Sequence, residues 1–212
     1  MSGRRAEAAR NDRRILEAAR AVFVADPDAP VSAVAKRAGV GIGAIYRRYA
    51  GKEELLQKVA ADGLHRYIEV AEAALASEDD PSTMFGAFMR GIVDARVHSI
   101  TLSLAGKFTP TEEMAADAQR ADELNVRLLE RAKAAGVVRA DIEVPDLSLL
   151  FEQLAAIQLG DEERRHELRH RYLALLLEAL RAPPSAPLPG PEPTPDEISR
   201  RWYPGSTVRR RG

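Results

Sequence analysis

The stretch from Pro30 to Lys52, PVSAVAKRAGVGIGAIYRRYAGK, constrains the fold of this chain more than any other. Its apolar residues fall into two short helical patterns, Val31, Val34, Ala35 and Ala38, then Ile42, Ile45, Tyr46 and Tyr49. Gly39-Val40-Gly41 lies between them. Two short helices meeting at a glycine-bearing corner make a helix-turn-helix, and in such a unit the second helix enters the major groove of DNA. The stretch carries Lys36, Arg37, Arg47, Arg48 and Lys52 and no acid. It is not self-sufficient, because two short amphipathic runs cannot enclose a core and need neighbouring helices to pack and aim them.

Those neighbours are legible as helices. Ile15, Leu16, Ala19, Val22 and Phe23 repeat at helical spacing, predicting a first helix from about Asn11 to Val24. Residues 1–10, small and basic, read as a mobile arm before it. The prolines at 27 and 30 end that helix and open the next. After Gly51 a single apolar stripe, Leu56 to Leu75, runs unbroken to about Ala76 and predicts one long, rigid helix. Asp80-Pro81 reads as the start of a helix whose apolar face, Phe85 to Ile100, is followed by an ambiguous segment at 101–108. Thr109-Pro-Thr-Glu112 reads as a capping box for a helix ending at Gly136, Pro145 opens another that ends at Gly160, and Asp161-Glu-Glu favours a last one, to about Arg181. No internal repeat and no strand pattern is present. The fold class expected is all-α, with about nine helices.

Composition narrows the function. The chain has no cysteine, which excludes disulfides, thiolate metal sites and cysteine nucleophiles. No apolar run has the length of a membrane span and the N-terminus lacks a signal-type apolar region, so a cytoplasmic protein with no membrane partner is expected. Net charge is −1, but it is unevenly spread. Residues 1–52 hold eleven Lys/Arg against five Asp/Glu, and residues 53–181 hold fifteen against twenty-four. A basic module on an acidic body points to one end meeting a polyanion. From residue 182 the composition shifts, with eight of the thirteen prolines in the last 31 residues, predicting an extended tail in which Trp202-Tyr203 could anchor onto the body. An enzyme is disfavoured: there is no phosphate-cradling glycine loop, no catalytic or metal constellation and no cofactor motif. His166 and His170 stand one helical turn apart, a possible metal pair for which the sequence offers no third ligand, so a solvated face is the expectation.

Three segments in fixed order, RRILEAARAVF, VSAVAKRAGV and GIGAIYRRYAGKEELL, resemble the TetR family of transcriptional regulators over about Asp12 to Val59. The most specific features are Ile45-Tyr46, the aromatic at Tyr49, and Lys-Glu-Glu-Leu-Leu opening the long helix. The resemblance implies a DNA-binding domain at 9–67, a helical ligand-binding and dimerising body at 68–181, and the tail at 182–212. It also implies contact roles for Tyr46 and Arg47 and a phosphate-contacting role for Lys52. The residues agree: Gly43 and Ala44 allow close backbone approach, Ile42 can touch a thymine methyl, Arg47 suits guanine with phosphate as a rival, and Arg48 is either a phosphate contact or solvated. Two positions depart from the family pattern, Pro30 and Gly41, where it often carries a hydroxyl residue.

For the body, the resemblance implies an effector pocket among the middle helices. Phe88, Met89, Ile92, Arg96, Leu128, Phe151 and Leu154 are the candidate lining, with ordinary core as the competing reading for each apolar one. Arg96, His98, Asn125, Gln153 and Gln158 are candidates to orient a ligand, Arg96 suiting an anion unless it forms a structural ion pair. The last helix is apolar on more than one side, which implies a homodimer through the last two helices of the body. The expected function is a ligand-responsive repressor that binds a near-palindromic, double-stranded operator as a dimer and is released by a small molecule. A helical small-molecule carrier is the competing reading.

Overall fold

In a computed structural model the structure describes residues 2–183 and 186–200. The described residues form ten helices and no strand. They are α1 Ser2–Ala25, α2 Val31–Ala38, α3 Ile42–Tyr46, α4 Lys52–Ala76, α5 Pro81–Ala95, α6 Val97–Leu104, α7 Glu112–Ala134, α8 Val144–Ala155, α9 Glu162–Ala179 and α10 Pro195–Ser199. The all-α expectation holds. Residues 2–10 extend α1 instead of forming an arm, because an Ala-, Arg- and Glu-rich segment propagates a helix already nucleated downstream.

Two apolar cores share α4. The first gathers Ile15, Ala19 and Phe23 of α1, Val34 and Ala38 of α2, Ile45 of α3, and Leu55, Val59 and Ala60 at the start of α4. Ile100 and Leu104 of α6, Phe108 and Met114 also enter it. The second gathers Tyr67, Ile68 and Ala71 further along α4 with α5, α7, α8 and α9. The long stripe on α4 is therefore continuous in sequence but serves two cores in turn.

Helix boundaries follow local chemistry. Pro30 is the N-cap of α2 and not its first residue. Asp80 caps α5 by accepting from the Ser82 and Thr83 amides, with Pro81 after it. The cap of α7 is Thr111, which accepts from Met114 N at 3.2 Å, not Thr109. Thr109 is used to dock the loop on α4: its N–H donates to Glu53 Oε1 and its carbonyl accepts from Gln57 Nε2. The apolar pattern read through Ile100 is broken at Arg96, whose φ of 56° separates α5 from α6. The break lets α6 turn onto α1, where Ser103 Oγ donates to Val24 O at 3.0 Å and Arg20 donates to the Ala95 carbonyl.

The tail differs from the extended form expected. Arg139 grips Asp141 at 2.6 and 2.7 Å and also donates to Ala186 O, while Leu188 N donates to Asp141 Oδ2. That pairing holds the Asp141 carboxyl well down, to about 2. Beyond it α10 forms on a Thr194–Glu197 capping box. Trp202-Tyr203 lies outside the described residues. No helix among the described residues is long and apolar enough to cross a membrane.

Candidate DNA interface and effector cavity

The corner between α2 and α3 is set by Gly39, at φ 65°. Its N–H and that of Val40 return to Lys36 O and Ala35 O, closing the end of α2 in a left-handed turn that favours glycine. Arg14 of α1 donates to Ala38 O at 2.7 Å, tying the corner to the first helix. α3 then sorts its residues by side. Ile45 and Tyr49 are 1% and 7% exposed, packed into the first core, whereas Ile42 and Tyr46 are 44% and 53% exposed. Large apolar and aromatic groups held outward on a five-residue helix mark a contact surface. Gly43 and Arg47 share this exposed side and Ala44 is half-buried. A side chain at Gly43 would meet Arg47 Nη1 at 3.7 Å, so the guanidinium lies back along the helix, and one at Gly41 would meet nothing within 4 Å.

The remaining basic residues are held differently. Arg48 Nε contacts Asp12 Oδ1 of α1 at 2.9 Å, which fixes α3 to the first helix. Lys52 opens α4 and its ammonium stands 5.6 Å from the centre of the Phe23 ring. Lys36 and Arg37 are exposed at the end of α2. The tie between Arg48 and Asp12 had no signal in the sequence, since Asp12 is on α1 and Arg48 is in the turn after α3, 36 positions apart.

The body contains a cavity of about 430 Å³, within the range of small-molecule sites. Leu64 and Tyr67 of α4, Val97, His98 and Ile100 of α6, Met114, Ala121 and Asn125 of α7, Val144, Ser148 and Glu152 of α8, and Ile198 of α10 line it. Tyr67 donates to Asn125 Oδ1 at 2.6 Å, and burial pushes its phenol well above the ordinary range. The His98 imidazole stacks on Phe151 at 4.8 Å and meets Tyr67 edge-on. Burial lowers its pKa from 6.5 to about 4, so it stands neutral, and its Nδ1 is sealed without a hydrogen-bond partner among the described residues. Asp122, also lining the cavity, has its pKa raised by desolvation.

The seven candidate lining residues lie elsewhere. Phe88, Met89 and Leu128 are solid core of the body, and Ile92, Arg96, Phe151 and Leu154 surround a cleft of about 10 Å³, room for one water. The physical reason is that α5 runs through the middle of the body, so its apolar face is filled by neighbours. Arg96 is held by Glu162 at 2.9 Å, the structural ion pair of the two readings. His98 and Asn125, read from the sequence as ligand-orienting candidates, do reach the cavity; Gln153 and Gln158 are not among its lining. The residues that sequence reasoning missed are mainly on α4, α7 and α8. The break at Arg96, which aims α6 at the cavity, is what would have revealed them.

A helix-turn-helix head on a helical body is the architecture of a DNA-binding regulator. Comparisons with known proteins bear on the same class. Residues 15–59 match the family described as bacterial regulatory proteins, tetR family, and residues 80–182 match the transcriptional regulator SbtR-like C-terminal domain. A TetR transcription regulatory protein from Mycobacterium vanbaalenii is 31% identical, with 84% of this chain and 99% of that one covered and a TM-score of 0.54. The TetR regulator SCO0520 from Streptomyces coelicolor is 26% identical, covering 83% and 99%, with a TM-score of 0.56. The uncharacterized HTH-type transcriptional regulator TtgW of Pseudomonas putida is 47% identical over 62 residues, 28% of this chain; the chain thus spans 46% of that curated relative, and 29% of the regulator SrpR. The chain belongs to the TetR family of transcriptional regulators, a family of regulators and not of enzymes.

Proposed function

We propose that this protein is a ligand-responsive repressor that binds a near-palindromic DNA operator as a homodimer, in the cytoplasm, and leaves it when a small molecule fills the 430 Å³ cavity. One observation carries the reading. Ile100 of α6 lines the cavity and also belongs to the apolar core of the DNA-binding head, where Leu104 joins it. A ligand that displaces α6 therefore strains the packing that orients α1, α3 and α4. Operator and effector then oppose each other through a coupling free energy, which must act in both directions.

The contact residues proposed for the operator are Ile42, Gly43, Ala44, Tyr46 and Arg47 towards the bases, with Arg48 and Lys52 towards phosphate. For the effector, the cavity wall sets the chemistry. It holds Asp122 and Glu152, the Tyr67–Asn125 pair and a neutral His98, and no Lys or Arg among the described lining residues. An apolar molecule that is uncharged or cationic fits this wall, and an anion does not.

Selection of genomic fragments followed by footprinting tests the reading. Protection of a symmetric site at moderate salt is expected. Failure to protect any duplex would leave a helical small-molecule carrier as the better account. Effector candidates are then screened for release of the protected fragment, with substitution of Ser148 by Trp, inside the cavity, expected to abolish release and leave protection intact.

A further inference from the structure

We propose that Asp94, His166 and His170 form a binding site for a divalent transition-metal ion of the Zn²⁺ class, clamping α5 to α9. The three residues come from two helices. His166 and His170 are one turn apart on α9, and Asp94 lies at the end of α5. His170 Nε2 is 2.7 Å from Asp94 Oδ1, and His166 Nδ1 is 3.9 Å from the same oxygen. The imidazole rings are 4.5 Å apart, and one donor atom from each of the three residues lies within 4.8 Å of the others.

A histidine–aspartate hydrogen bond accounts for one imidazole only. The second is brought to the same carboxylate oxygen although it gains no hydrogen bond there. Two imidazoles at i and i+4 on one helix face are a metal-binding arrangement when a third donor arrives from elsewhere, and α5 supplies it. Donors around tetrahedral Zn²⁺ sit about 2.0–2.1 Å from the metal and so about 3.3 Å from one another; His166 must therefore close on Asp94 Oδ1 and His170 must draw back from it. His166 and Asp94 are exposed and His170 half-buried, so their side chains can make that movement.

The donor set decides the ion. Two imidazoles and one carboxylate select Zn²⁺, Co²⁺, Ni²⁺ or Cu²⁺ over Mg²⁺ and Ca²⁺, which take all-oxygen sites. Glu162, also on α9, is not a fourth ligand, because it is held by Arg96 and Arg169 at 2.9 and 3.4 Å. Three protein ligands leave further positions to water. The site sits across α9 from Tyr172 and Leu175, so it does not compete with the apolar face of that helix.

The test uses the full chain, without an affinity tag, dialysed against micromolar Zn²⁺ and, in parallel, Co²⁺, whose visible absorption reports coordination. One equivalent per chain and a raised thermal midpoint are expected. His166→Ala and His170→Ala should each weaken affinity on the order of a hundredfold, at least what loss of an outer-shell partner costs. Asp94→Asn, which keeps a hydrogen-bond acceptor but loses the charge, should weaken it too and abolish the midpoint shift. His65→Ala, which removes a separate histidine bonded to Asp117, should change nothing. Retention of the equivalent in all three site variants, or no equivalent in the unaltered chain, overturns the proposal. Asp94 and His166 are exposed and His170 is half-buried, and unchanged circular dichroism of the variants excludes misfolding as the cause.

Discussion

Arg47 and Lys52 are both basic, but a DNA duplex would ask different things of them. Arg47 is exposed at the C-cap of α3 beside Tyr46, where a planar fork can reach a guanine edge. Lys52 is a point charge at the start of α4, suited to a phosphate. Arg47→Ala is expected to cost about 1–3 kcal/mol and relax preference at one base position. Lys52→Ala should weaken binding to all sequences alike and lower the salt slope by about one. Binding titrations at several salt concentrations, on the operator and on single-base variants, separate the two. At His98 the expectation concerns stability. Its imidazole titrates at about 4 in the folded chain against 6.5 when unhindered, because burial disfavours the cation. The unfolded chain therefore takes up this proton first. Stability is whole above pH 6.5 and is lost as pH falls towards 4, by about 3 kcal/mol at the limit. His98→Phe keeps the ring stack on Phe151 and removes the titration. Its thermal midpoint should fall less between pH 7 and pH 5 than that of the unaltered chain; parallel falls would show that another group is responsible.

Among the elements, α6 joins α4 in linking the DNA-binding head to the cavity. α4 crosses both cores, but α6 is packed at one end into the head and at the other onto the cavity. The two helices approach closely at Gly63, where an added Cβ would stand 2.7 Å from Ile100 Cδ1. Alanine there is tolerable, since the tip of Ile100 can swing aside. Gly63→Val places a branched group that cannot be so accommodated and is expected to cost about 1–3 kcal/mol through overpacking. Thermal denaturation of both variants measures this, and an unchanged midpoint for Gly63→Val would remove α4–α6 contact as a tight constraint. Helices with a clear stripe and a proline or glycine at their ends, such as α2, α4 and α9, were legible in sequence because local chemistry alone defines them. α6 was not, because its start at Arg96 is imposed by tertiary contact: an arginine at φ 56° carries no turn signal of its own. The same reason explains the site. The outward and inward faces of α3 follow from helical spacing, whereas the cavity depends on how four helices and α10 meet.

At the scale of the whole molecule, one protomer presents one α3, and a near-palindromic operator requires two. The apolar surface left on α9 is the proposed place for a second copy. Leu173 is 1% exposed and fills the body core, yet Tyr172 and Leu175 on the same helix are 49% and 59% exposed. Leu149 and Leu150 of the neighbouring α8 remain only half-buried. A face shared by two adjacent helices and rich in leucine suits a twofold, self-complementary contact, in which each copy offers the same patch. Leu175→Glu should therefore turn a dimer into a monomer at micromolar concentration, read by light scattering after size exclusion, with little loss of protomer stability because the side chain is at the surface. The variant's operator affinity should fall by about 10²–10⁴-fold, since the second head is then no longer held near its half-site by the first. Binding to a single half-site should be unchanged. A monomeric unaltered chain, or a Leu175→Glu variant that stays dimeric, would place the pairing surface elsewhere. A dimer lost without loss of operator affinity would show that the two heads do not act as a pair.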